Sequence, residues 1–462
     1  MTDGPDLVVA GAGGGLAGAL RAAELGLSVL VVEASEHFRR GNNTSMSTAM
    51  FPGAGSRWQR DEGVDDSPER FVADIMAKTR GQADPRLART LAEVSAPLVE
   101  WLADSAGLPL SLVTDFNYPG HSVLRCHTIP GRHGSGVVDH LARRVAEHEN
   151  IELLAPARLI DVLSEEDTVD GVRAAVVRYP DGTEEEIPTR AVLLATNGFG
   201  ADADLVAKHL PEISQALYQG SDQSLGDALR IGEKLGAATG FLDAYQGHGA
   251  VSASAGTLVG WATIIHGAFL VDLEGRRFGN ETRGYSEYAA ELAARPGSTG
   301  WIVLDETIFE QCQPFQDFRD VVSAGALVWA DDAAGLAAAT GLPAAALEAE
   351  LATTQAIARG SQADEHGRTH WERALSGRLA AVRVVPALFH TQGGLLVDEH
   401  AAVVDHDDRP IPGLYAAGGA AASISGHGAA GYLPGNGLLP AFGLAYLAAG
   451  DVARRLNSNT AS

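Results

Sequence analysis

Residues 7–33 read LVVAGAGGGLAGALRAAELGLSVLVVE, and the order of residue types within them decides the fold. A short apolar run, Leu7–Ala10, stops at a glycine cluster, Gly11, Gly13, Gly14 and Gly15. An Ala/Leu-rich stretch with helical spacing follows, then a β-branched run at 28–32 that ends on Glu33. Strand, glycine turn, helix, strand and acid, in that order, are what a dinucleotide-binding βαβ unit requires. The glycines allow a tight turn and a close backbone approach to a pyrophosphate, which sits on the N–H groups of the helix start. Glu33 follows Gly11 by about 20 residues, the separation at which a carboxylate accepts the hydrogen bonds of a ribose diol. The loop is a residue shorter than G-x-G-x-x-G, so Gly15 takes the place of the third glycine. A Gly-rich surface turn between two core strands is the duller alternative, and the placement of the acid argues against it.

A chain of 462 residues can bury a large core and is expected to split into two domains. Its 34 Lys and Arg against 59 Asp and Glu leave a net charge of −25, which repels nucleic acid and anionic membrane surfaces. An anionic substrate therefore needs a local cationic pocket. Cys126 and Cys312 are too few for a disulfide framework or a thiolate metal site, so no metal is expected. The N-terminus has no basic n-region and runs straight into the first strand, which argues against a secretory signal. No apolar run reaches the ~18–20 residues of a membrane span. The expectation is a soluble, cytoplasmic protein.

Working outward, 39–55 (RRGNNTSMSTAMFPGAG) is a loop dense in Gly, Asn, Ser and Thr. Its Asn43, Thr44 and Ser45 offer the backbone and hydroxyl donors that a phosphate or a flavin ring requires; an ordinary polar loop is the alternative. Residues 69–106 alternate apolar and charged types at helical spacing. Residues 115–121 (DFNYPGH) form a turn that presents Tyr118, and 132–136 is a turn before an amphipathic helix at 137–149. Strands are expected at 151–161 and 169–179, with Asp181-Gly182 as a hairpin turn. A buried strand at 191–194 ends in ATNGFG, where Ala195, Thr196 and Gly198 return the chain beneath the cofactor. Asp227 opens a helix at 228–235, where it meets a ribityl chain or serves as a cap. From 240 to 379 the pattern changes to strands at 268–272 and 301–305 among Ala-rich helices such as 333–354. This is read as an inserted second domain, with the nucleotide-binding sheet resuming at Arg383. IPGLYAAGG at 411–419 is a strand into a glycine turn containing Gly418, and YLPGNG at 432–437 leads into an apolar helix at 438–456. A helix starting at Gly437 and Leu438 directs its positive end at whatever precedes it. Such a start stabilises the negative pyrimidine edge of a reduced flavin by roughly 0.3–2 kcal/mol. Tyr415 and Tyr446 are read as core.

Together these segments resemble the FAD-binding fumarate reductase and 3-ketosteroid dehydrogenase superfamily. The resemblance spans essentially the whole chain: the first βαβ unit, GNNTS, LLATNGF, GDALRIGEKLGA, RRFGNE, HTQGGLLVD, IPGLYAAG and the PGxG helix start. It implies a Rossmann-like α/β FAD-binding domain built from 1–239 and 380–462, with an α+β capping domain inserted at 240–379. It also implies non-covalent FAD, because no histidine stands in GNNTSMSTAM, where covalently flavinylated members carry one. Counting from Asn280-Glu281, Tyr285 occupies the place of the fumarate reductase proton-donor arginine; ketosteroid dehydrogenases have a tyrosine base there. PGNG resembles their Y-P-G-x-G, whose tyrosine and last glycine bind the ketone oxygen, here Tyr432 (shifted one residue early) and Gly437. No arginine occurs between Gly413 and Asp451, where fumarate reductases grip a carboxylate. His390 in HTQGG and His248 in QGHG match their carboxylate-binding histidines.

The chemistry these residues imply is desaturation of a ketone by an FAD-dependent oxidoreductase acting on CH–CH groups. Tyr432 and the Gly437 N–H polarise the carbonyl, Tyr285 takes the α proton, and flavin N5 takes the β hydride. A phenol ordinarily ionises near ~10, so Tyr285 needs a cation or a hydrogen-bond relay, with Arg283 and Tyr118 as candidates. A bland reading of Arg283 is an ion pair one turn along with Glu287; the histidines and tyrosines could equally be satisfied interior side chains. Histidines beside a ketone-type site point to a small cyclic ketone or keto acid such as 4-oxocyclohexanecarboxylate, with a 3-ketosteroid next. A fumarate reductase-like or tricarballylate dehydrogenase-like enzyme is the second reading, weakened by the missing arginines. A non-enzymatic flavin carrier is the third, and the inserted cap argues against it. The sequence leaves the electron acceptor open among oxygen, a quinone and a protein.

Overall fold

Leu7–Ala10 is a strand with all four residues buried. It lies inside a six-stranded sheet ordered Ala402–Val404, Pro410–Ala416, Val192–Leu194, Leu7–Ala10, Val29–Val32, Ile151–Leu154. The computed structural model describes residues 4–164 and 171–460. Leu7–Ala10 pairs in parallel with Val29–Val32 and Val192–Leu194. Parallel strands are covered on both faces, which is why these segments are unbroken apolar runs without alternation. Pro410–Ala416 adds in parallel to Val192–Leu194, so both ends of the chain complete one sheet.

Gly14–Glu24 is the helix of the first βαβ unit and packs on the last helix, Leu438–Thr460. Two glycines permit that contact. A methyl on Gly14 would lie 2.4 Å from the Ala441 carbonyl oxygen, and one on Gly18 3.1 Å from Ala445 Cβ. The first helix thereby brings its glycine turn alongside the start of the last.

Three expected elements of the N-terminal half differ. The strand read at 151–161 is two, Ile151–Leu154 in the main sheet and Arg158–Ser164 in a separate three-stranded sheet. Pro156 lies between them and cannot donate to a ladder. The strand read at 169–179 is Val172–Arg178; Val169 and Asp170 lie outside the described residues. The helix read at 137–149 is Gly134–Ala146, started early because the His133 ring accepts the Ser135 N–H as its cap.

The chain divides into two units. The first holds Met1–Leu210, Gly220–Tyr245 and His390–Ser462; the second holds Pro211–Gln219 and Gln246–Phe389. The second is built on Leu379–Thr391, a 13-residue strand that pairs antiparallel with Gly300–Asp305 and Leu327–Ala330. Arg383 therefore belongs to the second unit, opposite Trp301, and the nucleotide-binding part resumes at His390 rather than at 380. The strand is continuous, so the division falls near its end. The 333–354 helix is two, Ala333–Thr340 and Ala344–Ala358, broken where Gly341 adopts a left-handed conformation before Pro343.

In the first unit, buried Arg125 pairs with Asp66 at 2.8 Å and Asp74 at 2.7 Å. Its Nη1, which pairs with Asp74, also donates to His121 Nδ1 at 3.0 Å, and His121 Nε2 lies 2.8 Å from the Pro434 carbonyl oxygen. An accepting Nδ1 puts the His121 proton on Nε2, which donates to Pro434. This relay anchors the loop before the last helix. Among the described residues no helix is long and apolar enough to cross a membrane, and no group of His, Cys, Asp and Glu could hold a metal.

Candidate active site

At the glycine turn, Gly11 takes φ +109°, and a methyl there would lie 2.2 Å from the Ala195 carbonyl oxygen. A methyl on Gly13 would lie 2.8 Å from Thr44 Oγ1, and one on Gly15 2.8 Å from a methyl of Val9. Gly13 caps the first helix without a side-chain bond, and no acid stands in its first turn. The positive helix end is thus left open to an anion. Glu33 Oε2 accepts the Ala12 N–H at 2.7 Å, and Oε1 the Ser35 N–H at 2.8 Å. A carboxylate has about four lone-pair sites, so capacity for a diol remains. Burial raises the Glu33 pKa, opposed by those two N–H groups, that of Ala34, and the charge of Arg158.

The 39–55 loop reaches the turn through a residue the sequence reading passed over. Asn42 Nδ2 donates to the Ala12 carbonyl at 3.1 Å, and its Oδ1 accepts the Ser45 N–H at 2.8 Å. Asn43 accepts the Ser221 N–H at 2.7 Å, while buried Ser45 donates its hydroxyl to the Asn42 carbonyl. Ala195 bonds the end of the first strand, Ala10, at 2.8 Å. A methyl on Gly198 would lie 1.8 Å from Thr391 Oγ1, so that turn also requires glycine. Gly418 opens the short turn Gly418–Ala420 and rests near Ala441 of the last helix. Asp227, expected near a ribityl chain, is engaged by Arg158 and Arg230.

Before the last helix, three groups converge on one point. The position a methyl on Gly437 would take is 3.1 Å from His390 Nε2 and 3.4 Å from Tyr432 Oη. The His390 and Tyr432 rings meet edge to face at 5.8 Å. Leu438 begins the last helix, whose first N–H groups lack intrahelical partners. The one-residue shift of Tyr432 in the sequence therefore does not remove it from Gly437. Tyr118 lies half-buried against Phe116, with ring centroids 4.8 Å apart. Burial above all, with Cys126 and Tyr432 adding to it, raises the Tyr118 pKa and keeps the phenol neutral.

In the second unit, His248 stacks on Tyr285, with centroids 4.8 Å apart and planes 19° from parallel. Trp261 closes on both rings, at 5.7 Å from His248 and 6.4 Å from Tyr285. His248 Nδ1 accepts the Ala250 N–H at 3.1 Å, which leaves its proton on Nε2. Arg283 has an exposed side chain paired with Glu291 at 3.3 Å. Its charge is thereby compensated.

Burial pushes four histidine pKa values down: His121, His127 and His390 to about 4, His248 to about 3. All four are neutral at pH 7, so any hydrogen bond they donate comes from an uncharged ring. An unfolded chain takes up these protons near ~6.5 while the folded chain does not. Stability is therefore complete above about 6.5 and is lost as pH falls from there toward the folded values. At about pH 5 each ring costs about 2 kcal/mol. Thermal midpoints of the FAD-loaded protein are expected to fall steeply from about pH 6.5 to 5, and a flat profile contradicts this.

Several buried polar atoms in the first unit have no protein partner: Thr196 Oγ1, Ser423 Oγ, and both side-chain atoms of Asn436. Asn436 is 1% exposed. Buried polar groups are normally satisfied, so these orphans fit the polar edges of a bound group such as FAD. The sequence reading does not include Asn436 and Ser423; PGNG, which sets an asparagine beside the helix start, is the one local signal for Asn436.

The profile of the FAD binding domain family matches residues 6–438. An NADH:fumarate oxidoreductase of Klebsiella pneumoniae is 30% identical over 428 residues, 91% of this chain and 45% of that protein. The chain thus spans less than half the length of that relative. The open conformation of a flavocytochrome c3 fumarate reductase superposes with TM-score 0.81 at 26% identity, covering 97% of this chain and 78% of that one. A 3-ketosteroid Δ1-dehydrogenase from Sterolibacterium denitrificans gives 0.79 at 21%, covering 98% and 100%, a likeness of fold.

Proposed function

This chain belongs to the FAD-binding domain family, and from that premise we propose that it is an FAD-dependent oxidoreductase acting on carbon–carbon bonds that desaturates a cyclic ketone α,β to the carbonyl. The proposed substrate is a small ketone or keto acid such as 4-oxocyclohexanecarboxylate, with a 3-ketosteroid as the larger option. The convergence of Tyr432 Oη and His390 Nε2 on Gly437 carries this reading.

The glycine turn, Glu33, the Asn43–Ser45 segment, Thr196 and Asn436 would hold FAD, non-covalently. When bound, FAD supplies a two-electron acceptor for the hydride lost from the β carbon. Tyr432 and the backbone at Gly437 hold the carbonyl oxygen while negative charge grows on it, the role of an oxyanion hole. His390 adds an uncharged N–H donor there. Tyr285 Oη takes the α proton in this reading, and the stacked ring of His248 and the edge-on ring of Trp261 fix its orientation.

A second reading, reduction of an unsaturated carboxylate, is supported by the sequence relatives, among them an NADH:fumarate oxidoreductase and a fumarate reductase. Against it stands the absence of arginine from 413–451, where an uncharged phenol, Tyr432, meets the last helix. Anaerobic mixing of the yellow protein with 4-oxocyclohexanecarboxylate, cyclohexanone or a 3-ketosteroid is expected to bleach the flavin. No bleaching by any of them, with reoxidation of dye-reduced protein by fumarate, would establish the second reading instead.

A further inference from the structure

His390 is not alone behind the Gly437 cradle. Its Nδ1 lies 2.8 Å from Gln392 Nε2, and Gln392 Oε1 accepts the Ser425 hydroxyl at 2.7 Å. Both partners are buried, Gln392 at 3% and Ser425 at 1% exposure, where an unmade hydrogen bond is costly. The Gln392 backbone is tied down independently, donating to the Ala244 carbonyl at 2.7 Å and accepting the Ser423 N–H at 2.8 Å.

The direction of these bonds follows from what each atom can do. A serine hydroxyl donates one proton, and among the described residues the Gln392 amide oxygen is the acceptor found for it. That turns the amide NH₂ toward His390, and an NH₂ can only donate, so Nδ1 has to accept. The one competitor is the Thr391 carbonyl oxygen, 3.3 Å from the same nitrogen, which would favour a proton on Nδ1. The bond at 2.8 Å prevails over the one at 3.3 Å. No carboxylate pairs with His390 among the described residues; the Tyr432 ring and Gly437 also lie beside it.

We propose that Gln392, oriented by Ser425, is a positioning residue that keeps the His390 proton on Nε2, so that the ring serves the Gly437 cradle as an uncharged hydrogen-bond donor. Gln392 does not touch the cradle itself; it acts through His390. The consequence for turnover rests on the function proposed above, whereas the assignment of the proton does not.

The test is a two-bond ¹H–¹⁵N correlation on FAD-loaded protein with ¹⁵N-labelled histidine rings. The His390 pattern is identified by its loss in His390→Asn. The wild type is expected to show a protonated Nε2 and a bare Nδ1, unchanged between about pH 5 and 8. In Gln392→Met the remaining neighbour of Nδ1 is the Thr391 carbonyl, so the proton should move to Nδ1. In Gln392→Glu a carboxylate should likewise draw it to Nδ1 and bring the ring's titration into that window. A proton on Nδ1 in the wild type, an imidazolium at neutral pH, or an unchanged pattern in Gln392→Met overturns the assignment. With the ketone as probe, Gln392→Met is expected to lower kcat roughly 10–100-fold, as when an outer bond orienting a histidine is lost, with KM little changed. A wild-type kcat beside a moved proton overturns the positioning role. A protein that shows the Nε2 proton yet turns over no ketone overturns the proposed function and leaves the assignment standing.

Discussion

Tyr285→Phe is expected to slow flavin bleaching by a cyclic ketone about 10²–10⁴-fold, the usual contribution of a positioned general base, while FAD stays bound. The substitution removes one oxygen and keeps the ring that stacks on His248 at 4.8 Å, so loss of packing is not the cause of the effect. Tyr285 opens the helix Tyr285–Ala293, and the positive end of a helix favours an anion by only about 0.3–1 kcal/mol. A tyrosine ordinarily ionises near ~10, so being a phenolate at pH 7 costs about 4 kcal/mol. Its stacked partner cannot make up the difference by charge, since burial holds His248 neutral with a pKa of about 3. The wild-type rate is therefore expected to climb with pH through the neutral range, while the small residual rate of the phenylalanine variant stays level. Stopped-flow bleaching of both proteins against pH decides it. A variant within twofold of wild type, or one that loses its flavin, removes Tyr285 from the chemistry.

The parts of this molecule that could be read in advance are those where local composition and the final fold ask for the same thing. Leu7–Ala10 is apolar throughout because a parallel strand is buried on both faces, and Gly11 and Gly14 after it are forced by carbonyl oxygens 2.2 and 2.4 Å from where a methyl would stand. Both facts leave marks within a few residues of sequence. The junction at His390 left no such mark. The residues of Leu379–Thr391 look alike on either side of it, and their membership is set by pairing with Gly300–Asp305, some eighty residues earlier.

The site divides along the same line. Tyr432, Gly437, His390 and His248 were found because motifs surround them. Asn436 and Ser423 became visible only as buried atoms lacking partners, and Gln392 only through its 2.8 Å approach to His390. Gln392 and His390 are neighbours in sequence, but the Ser425 hydroxyl that orients the amide comes from 33 positions away, and neither composition nor spacing encodes that contact. Asp227 illustrates the reverse: the sequence offered a carboxylate at a helix start, but the partners that occupy it, Arg158 and Arg230, depend on the fold.

Gly437→Ala is expected to lower kcat/KM for the ketone about 10²–10³-fold, the loss that follows removal of an oxyanion-hole donor, at almost no cost in stability. Gly437 is not among the glycines with positive φ, so its backbone accepts an alanine without strain. The change at a helix start is worth within about 1 kcal/mol. The new methyl would lie 3.1 Å from His390 Nε2 and 3.4 Å from Tyr432 Oη, both ends of side chains able to yield by a few tenths of an ångström. The protein should therefore fold, bind FAD and melt as before, yet the methyl occupies the spot where the two donors meet, so a carbonyl oxygen is denied them. Tyr432→Phe removes one donor without filling the space and is expected to lose a similar factor, about 10²–10³. The double variant should lose less than the product of the two, because both disable the same hole. Steady-state kinetics of the three proteins, beside thermal melts and flavin content, test this directly. Wild-type kcat/KM in Gly437→Ala means that the oxygen is held elsewhere, and multiplicative losses mean that Tyr432 and Gly437 serve different groups of the substrate.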